Sequence, residues 1–371
     1  METPSVIVVG AGIVGCTVAH ELAREGAEVH VIETRTPGQG ATRASAGILA
    51  PHTEGQSSDI LRSLGQRSLD LYDGFMARLS EESGRDLLYK RNGTFELAFS
   101  DADVERLGNL SRTLANEGIA AQWISPDDFG AFEPLASPAA RGALLIPAHG
   151  FVGVTSLTLA AAAAAAKSGA RFTVATGAIH IFPIEGQRVG VQTPSARLEA
   201  DRVVLAAGSW SSAITVEDAD PIPVKPIRGQ LIQLQTDPGA ISRVIWGPDG
   251  YLVPWPDGSV LVGSTVEDVG FDEGHTPDGV EKLRAAAVSL VPSLAAAEVS
   301  SVRTGLRPKG PDDLPILGAS KAVPGLIYAT AHYRNGVLFT PLTVQLVRDL
   351  VLDRSADPAL RDFDPARAGR L

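Results

Sequence analysis

Residues 5–33 read SVIVVGAGIVGCTVAHELAREGAEVHVIE, and this stretch decides the fold. Residues 5–9 are a short stretch in which Val6-Ile7-Val8-Val9 are all β-branched, the mark of a buried strand. Gly10-Ala11-Gly12-Ile13-Val14-Gly15 follows at once, and residues 13–25 have helical character. Gly26 closes that helix, and residues 28–32 form a second strand ending at Glu33. This is the strand–GxGxxG–helix–strand–acid spacing of a dinucleotide site. Gly10 permits the tight turn, Gly12 lets the backbone approach a pyrophosphate, and Gly15 lets helix and strand pack closely. The helix N-terminus offers N–H groups and a partial positive charge. Glu33 is placed to accept hydrogen bonds from an adenosine ribose, which favours an unphosphorylated 2′-OH. The pattern by itself does not separate NAD from FAD.

The rest of the chain bounds the class. It has 371 residues and a formal net charge of −11. An acidic balance disfavours a nucleic-acid partner, which needs a basic face, and adsorption to anionic membranes. One cysteine excludes an intrachain disulfide and any cysteine-based zinc or iron–sulfur site. The most apolar run, 157–166, is about half a membrane span. The first strand begins by Ser5 or Val6, leaving no room for a signal peptide, so a cytoplasmic protein is expected. The 38 glycines and 25 prolines imply many turns and close backbone contacts.

Outward from the first motif, residues 57–84 read as a helix with Leu61, Leu64, Leu69, Leu71 and Phe75 on its apolar side. A strand at 93–99, a helix at 101–117 and a short capped helix at 125–133 follow. The alanine-rich stretch 155–167 reads as a packing helix, and 171–175 and 202–207 as strands. The second of these ends in Ala206-Ala207-Gly208, small enough to let another backbone or a cofactor come close, so it is expected to return to the N-terminal sheet. Strands are expected at 226–234 and 250–266, the latter folded at Pro256-Asp257-Gly258-Ser259. A two-residue loop at Asp257-Gly258 would pair Tyr251 with Ser264 and Val253 with Val262. A helix at 277–290, an extended run at 299–306 and a strand at 325–330 complete the pattern. The loop 331–336 then leads into a helix from about 337 to 352, in which Pro341 fits only near the first turn.

Three further stretches carry chemistry. Residues 40–52, GATRASAGILAPH, combine small and hydroxyl side chains without periodicity, as a loop laid along a ligand does. The loop Ala331-His332-Tyr333-Arg334-Asn335-Gly336 precedes a helix whose N-terminus suits the pyrimidine end of a flavin, where reduction places negative charge. Arg307, in Gly305-Leu306-Arg307-Pro308, is biased toward extended backbone by Pro308. Its guanidinium suits a small carboxylate; Arg303 is a rival on the same criterion, and Tyr251 is a candidate to add a phenol hydrogen bond. His20, His52 and Cys16 read as structural.

Taken together these motifs are familiar. VIVVGAGIVG at 6–15, ATRASAGILAPH at 41–52, VVLAAGSWS at 203–211, GYLVPWPDGSVLVGSTVEDVGFD at 250–272, GLRP at 305–308 and AHYRNGVLFTP at 331–341 resemble the glycine oxidase branch of the D-amino acid oxidase family. The resemblance implies an α/β architecture, in which a Rossmann-like FAD-binding domain (1–84, 145–218 and 305–371) interleaves with an α+β substrate-binding domain on an antiparallel sheet (85–144 and 219–304). It implies noncovalent FAD, since covalent flavin in related sarcosine oxidases uses a cysteine late in the chain, whereas Cys16 lies in the first helix. Ile13, Val14, Glu33 and Thr34 are expected at the adenosine end, and Ala41, Thr42, Ala46, Gly47 and Ile48 along the pyrophosphate and ring. Ala178 stands where the family usually has a valine beside the adenine. His332, Tyr333, Arg334, Asn335, Gly336, Val337 and Leu338 are expected around the isoalloxazine. Arg307 is expected to hold the substrate carboxylate, with Tyr251 helping and Arg334 close by. Val266 and Asp249 stand at pocket-adjacent positions where some relatives carry Met and His.

The activity this implies is oxidative deamination of glycine or a small amine such as sarcosine or D-alanine. A hydride passes from the α-carbon to flavin N5, the imine hydrolyses to a 2-oxo acid, and dioxygen reoxidises the flavin to give hydrogen peroxide. No side-chain acid or base is expected if the amine arrives neutral. A role in making the thiazole of thiamine, and a dimer or tetramer, follow from the same resemblance. The competing readings are an FAD amino-acid dehydrogenase serving a quinone or carrier, an NAD(P) dehydrogenase, for which the late loop and helix would have no purpose, and a non-enzymatic flavin-binding subunit.

Overall fold

The strand Ser5–Val9 lies in the middle of a six-stranded sheet, between Glu28–Glu33 and Arg202–Leu205. This is seen in a computed structural model that describes residues 3–54 and 58–371. Across the sheet the order is 316–319, 326–330, 202–205, 5–9, 28–33 and 171–174. All neighbours run parallel except the edge strand Ile316–Ala319. Val6 and Val8 enter one apolar core and Ile7 and Val9 another, so the strand is buried on both faces. That is why it reads as a continuous apolar run rather than an alternating one. From Ser5–Val9 the chain moves to one side as 28–33 and returns on the other as 202–205. The resulting switch point opens a crevice at the carboxyl ends of the central strands.

The helix Ile13–Arg24 packs on this sheet beside Val154–Lys167. Ala160, Ala161, Ala164 and Ala165 are buried there, as expected of a packing helix with small side chains. The return of residues 202–205 is also as expected, with Val6 opposite Arg202 and Val9 opposite Leu205.

The second layer is an eight-stranded sheet in the order 299–309, 225–235, 259–263, 250–254, 244–247, 94–98, 142–146 and 122–124. It is antiparallel except where 244–247 runs parallel to 94–98. The helix Pro277–Leu290 covers one face through Leu283, Ala287 and Leu290. The other face, with Leu231, Tyr251, Val253 and Leu261, turns toward Ala44, Ala46 and Ile48. Two smaller sheets complete the chain. The domain boundaries expected at 145 and 305 fall inside the strands Gly142–Ile146 and Val299–Lys309, which the large sheet carries from end to end.

Several local expectations shift. The helix expected at 57–84 is two helices, Asp59–Asp70 and Tyr72–Ser83, and its expected first residue lies outside the described residues. Ser68 and Tyr72 flank the break and donate to the Leu338 and Val337 carbonyls at 2.7 and 2.5 Å. The last long helix starts at Thr340, three residues later than expected, with Pro341 in its first turn. The 250–263 hairpin is one residue out of the expected register. Tyr251 faces Gly263 and Val253 faces Leu261. The loop has three residues, 256–258, because Gly258 takes a left-handed φ of 84° and adds a bulge residue to the turn. Asp257 fixes it by accepting from the Ser259 N–H and hydroxyl at 2.9 and 2.6 Å.

Glu21 ties the first helix to the last. It is 2% exposed and accepts from Arg24 at 2.9 Å and Arg348 at 3.1 Å, with Arg78 at 3.8 Å. Burial alone would raise its carboxyl pKa, but the three guanidinium groups outweigh burial and hold it below the ordinary value. A depressed folded pKa contributes stability that is full above the unfolded value and is lost as pH falls through the folded one. Glu21→Gln should therefore lower the unfolding free energy by about 1–3 kcal/mol at neutral pH. Urea titrations at neutral and acid pH should show that difference shrinking as the pH falls.

Candidate active site

The crevice at the switch point continues between the two large sheets as one cleft of about 490 Å³, within the range of cofactor sites. Its floor is the phosphate loop. A Cβ on Gly10, whose φ is 109°, would sit 2.4 Å from the Ala206 carbonyl oxygen. One on Gly15 would sit 1.9 Å from the Gly10 oxygen. These two glycines let backbone segments touch, and Gly15 does not line the cleft. Gly12 differs: it has an ordinary φ of −73°, and its Cβ would meet only the Thr42 hydroxyl at 3.4 Å. It lines the cleft and no part of the chain needs the space above it. The helix beginning at Ile13 has no side-chain cap from Gly12, and the Ile13 N–H donates to Thr42 at 3.0 Å. The first turn of a helix, a bare glycine and a hydroxyl thus form a cradle suited to a pyrophosphate.

At one end of the cleft stands Glu33. One carboxylate oxygen accepts the Ala11 N–H at 2.7 Å, and the other accepts the Thr34 N–H at 2.7 Å and the Arg35 N–H at 3.2 Å. The side chain pins the phosphate loop to the chain after the second strand, and it is the one carboxylate among the described residues of the cleft wall. Thr34, Arg35, Ala178 and Trp210 line the same end. Arg35 lies 4.8 Å from the Trp210 ring and pairs with both oxygens of Glu273 at 3.1 and 2.7 Å. Sequence reading missed Arg35 and Trp210, because neither carries a spacing signal.

Ala41, Thr42, Ala46, Gly47 and Ile48 line the middle. Gly47 has a φ of 74°, and a Cβ there would fall 1.9 Å from the Val152 oxygen, so the segment can lie this deep only with glycine. Gly305 does a similar job beneath the turn Ala41–Ala44, where a Cβ would come within 2.7 Å of the Ala44 methyl. This turn parts the two rival arginines in space. Arg303 and Arg307 share one face of their strand, two residues either side of Gly305. Arg307 lines the cleft, whereas Arg303 lies beyond the turn, bonded to Gln233 at 2.8 Å and over Trp255.

At the far end Arg307 and Tyr251 both line the cleft. The guanidinium lies flat on Gly229, where a Cβ would be 2.3 Å away. It donates to the Ser264 hydroxyl at 2.7 Å and the Thr265 carbonyl at 3.1 Å. The Tyr251 ring lies across Gly263 in the same way, with a Cβ–hydroxyl distance of 2.4 Å, and packs on Trp246. Gly229 and Ser264 line the cleft and were not singled out from the sequence. An isolated glycine in the apolar strand 225–235 was the available signal for the first. Ser264 was expected only as the cross-strand partner of Tyr251, a place that Gly263 takes.

The loop 331–336 closes this end. Tyr333 donates its N–H to the Pro308 carbonyl at 2.9 Å, which seats the loop against the Arg307 strand. Ala331 and Tyr333 take positive φ values of 59° and 47°. His332, Tyr333, Arg334, Gly336 and Val337 line the cleft. Asn335 and Leu338 do not: both are buried, and Leu338 packs against Gly65. The His332 imidazole bonds Thr343 at 3.0 Å, and burial drives its pKa down to about 4, so it is neutral near pH 7. Asp249 and Val266 also lie off the cleft wall, and Val266 is 55% exposed. His20 bonds Glu82 at 2.5 Å and His52 stacks on His149, both away from the cleft. Among the described residues no group of His, Cys, Asp and Glu could hold a metal, and no helix is long and apolar enough to cross a membrane.

A two-layer α/β fold with a pyrophosphate cradle at a switch point, prolonged to a second sheet carrying an arginine and a tyrosine, defines a flavin-dependent oxidoreductase. The chain belongs to the DAO family of FAD dependent oxidoreductases, which it matches over residues 5–350, and FAD is its cofactor. It is 32% identical to the bifunctional protein ThiO/ThiG of Nostoc sp. over 99% of its own length. It spans about half, 55%, of that relative. It is 32% identical to a glycine oxidase of Geobacillus kaustophilus, over 93% of this chain and 92% of that protein. A crystal structure of glycine oxidase from that organism superposes with a TM-score of 0.93 at 30% identity, covering 99% of both chains.

The cradle can be tested apart from the fold. Gly12→Ala should leave the melting temperature of the deflavinated protein unchanged and lower its affinity for FAD by at least tenfold. Gly15→Ala should destabilise the deflavinated protein itself. FAD titration of Gly12→Ala with the parent's affinity would remove Gly12 from the cofactor site.

Proposed function

We propose that this chain oxidises glycine, or a small amine of similar size, to the corresponding imine and 2-oxo acid. The observation that carries the reading is the placement of Arg307 and Tyr251 at one end of a cleft whose other end is Glu33 and whose floor is the phosphate cradle. The phosphate loop, Glu33 and the 41–48 segment would hold FAD along the cleft that Arg307 also lines. Bound FAD would supply the two-electron oxidant for the substrate α-carbon and return those electrons to dioxygen.

The chain's own residues supply position and charge. Arg307 receives the substrate carboxylate through paired N–H bonds, and Tyr251 adds a hydroxyl beside it. Gly229 and Gly263 leave room for the two side chains to lie flat on the sheet. The loop 331–336 lines the same cleft through His332, Tyr333, Arg334 and Gly336 and would lie against the flavin ring, with Arg334 available to the substrate. The one described imidazole of the cleft wall, His332, holds its loop to the last helix through Thr343. The substrate amine therefore loses its proton to water before binding productively, and no side chain takes it. The small-amine class is supported by the glycine oxidase relatives. The ThiO/ThiG relatives support a supply of oxidised glycine for assembly of the thiamine thiazole.

Anaerobic addition of glycine to the yellow holoenzyme should bleach the flavin absorbance, and air should restore it with release of hydrogen peroxide. A flavin that stays oxidised would reject glycine as substrate and leave the fold and cofactor standing. Arg307→Ala should raise KM for glycine by roughly 30- to 1,000-fold, the loss of about 2–4 kcal/mol for an unpaired buried charge contact. The initial rate at subsaturating glycine should rise from neutral to alkaline pH as the substrate amine deprotonates, and a falling profile for a folded enzyme would sink the neutral-amine mechanism.

A further inference from the structure

Arg307 is aimed by residues outside its own strand. Its guanidinium donates to the Arg228 carbonyl at 3.4 Å, the Thr265 carbonyl at 3.1 Å and the Ser264 hydroxyl at 2.7 Å. Ser264 and Thr265 open the segment between the strand Ser259–Gly263 and the helix Pro277–Leu290. The order of that segment comes from side chains gathered around Glu267.

The carboxylate of Glu267 accepts from four donors. One oxygen takes the Arg228 Nε and Nη2 at 3.2 and 2.5 Å. The other takes the Gln230 amide at 2.7 Å and the Thr265 hydroxyl at 2.5 Å. The backbones of Arg228 and Glu267 exchange two further bonds at 2.8 and 3.0 Å. Glu267 thus donates to the same Arg228 carbonyl that Arg307 touches, and its side chain holds the residue whose carbonyl is a second Arg307 acceptor. Thr265 also accepts the Gln230 N–H at 2.8 Å, which fastens the segment to the neighbouring strand. Gln230 closes the far end on Thr276, accepting its N–H at 2.8 Å and donating to its hydroxyl at 3.0 Å. Arg228 is 4% exposed and uses its remaining edge on Asp272 at 2.6 Å and the Gly274 carbonyl at 2.9 Å.

Only a carboxylate fits this centre. All four atoms that meet the Glu267 carboxylate, two from Arg228 and one each from Gln230 and Thr265, donate, so an amide in its place turns an NH₂ group toward at least one donor. Asp272 is 60% exposed and a poor substitute as counter-charge for a buried guanidinium. Burial would raise the Glu267 carboxyl pKa, but Thr265, Arg228 and Gln230 hold it below its ordinary value, so it is ionised near neutral pH.

We propose that Glu267, paired with Arg228 and bonded to Thr265, is a positioning residue for carboxylate recognition: it sets the Ser264–Thr265 backbone and hydroxyl on which Arg307 is aimed. The proposal rests on Arg307 being the carboxylate clamp. Two parallel N–H bonds to a carboxylate need a fixed plane, and a misplacement of about 1 Å can cost up to a hundredfold. A residue that acts through Arg307 should change substrate binding far more than turnover at saturation.

The test uses holoenzyme and acetate, an unreactive carboxylate whose binding is read as a perturbation of the flavin absorbance. Glu267→Gln should keep its FAD, raise the acetate Kd and the glycine KM about tenfold, and change kcat less than about twofold. Thr265→Val, which removes the hydroxyl link and leaves Arg228 paired, should raise the acetate Kd in the same direction, and Thr265→Ser should restore it. The threonine pair decides the matter if Glu267→Gln does not fold. Parental acetate binding in Thr265→Val, with binding lost in Arg307→Ala, would overturn the proposal and leave the clamp intact. Parental acetate binding in Arg307→Ala would overturn the clamp, and the proposal with it.

Discussion

Gly10 meets the carbonyl of Ala206 with no room for a methyl group between them. The rest of the structure depends on this contact. It lets the strand Arg202–Leu205 pair with Ser5–Val9 on the side opposite 28–33 and close against the phosphate loop. The crevice exists because two crossovers diverge there. It is deep because the residues at its lip, Gly10, Gly12, Ala206, Ala207 and Gly208, have almost no side chains. Glu33 then locks the loop by taking the Ala11 N–H, so the cradle is rigid before anything binds.

The Arg307 end of the cleft follows the same physical rule with different residues. Arg307 lies on Gly229, Tyr251 on Gly263, and the 41–44 turn on Gly305. In each case a glycine inside a strand gives up cross-strand packing so that a large group can lie against the backbone. A buried face of the eight-stranded sheet thereby becomes a wall that holds charge. The charge is kept in order by neighbours: Arg228 is neutralised by Glu267 and Asp272. The loop 331–336 joins the two halves where Tyr333 donates its N–H to Pro308 and His332 bridges Lys309.

Much of this is written along the chain, and the exceptions have identifiable causes. The cradle was legible because its spacing is set by one continuous strand–loop–helix unit. The return of 202–207 was legible from its run of small residues. The hairpin register was not, because Asp257-Gly258 suits a two-residue turn as well as a three-residue loop with a bulge. The backbone chose the latter when Gly258 took positive φ and Asp257 capped Ser259. Leu338 and Asn335 sit in a motif whose neighbours face the cleft, yet turns rather than helix at 337–339 send the Leu338 side chain into the core against Gly65. Asp249 and Val266 are near Tyr251 and Ser264 in sequence but off the cleft wall.

The sequence by itself determined the class of fold, the cofactor cradle and the presence of a cation suited to a carboxylate. Those depend on local spacing, helix ends and residue chemistry, which are properties of contiguous chain. Which arginine lines the cleft was decided only in three dimensions. Arg303 and Arg307 are equivalent along one face of one strand, and the 41–44 turn, drawn from a segment more than 250 positions away, separates them by settling on Gly305. The Glu267 network is of the same kind. Its members at 228, 230, 265, 267 and 272 come from one strand and one irregular segment, and only pairing across the sheet brings four donors onto one carboxylate.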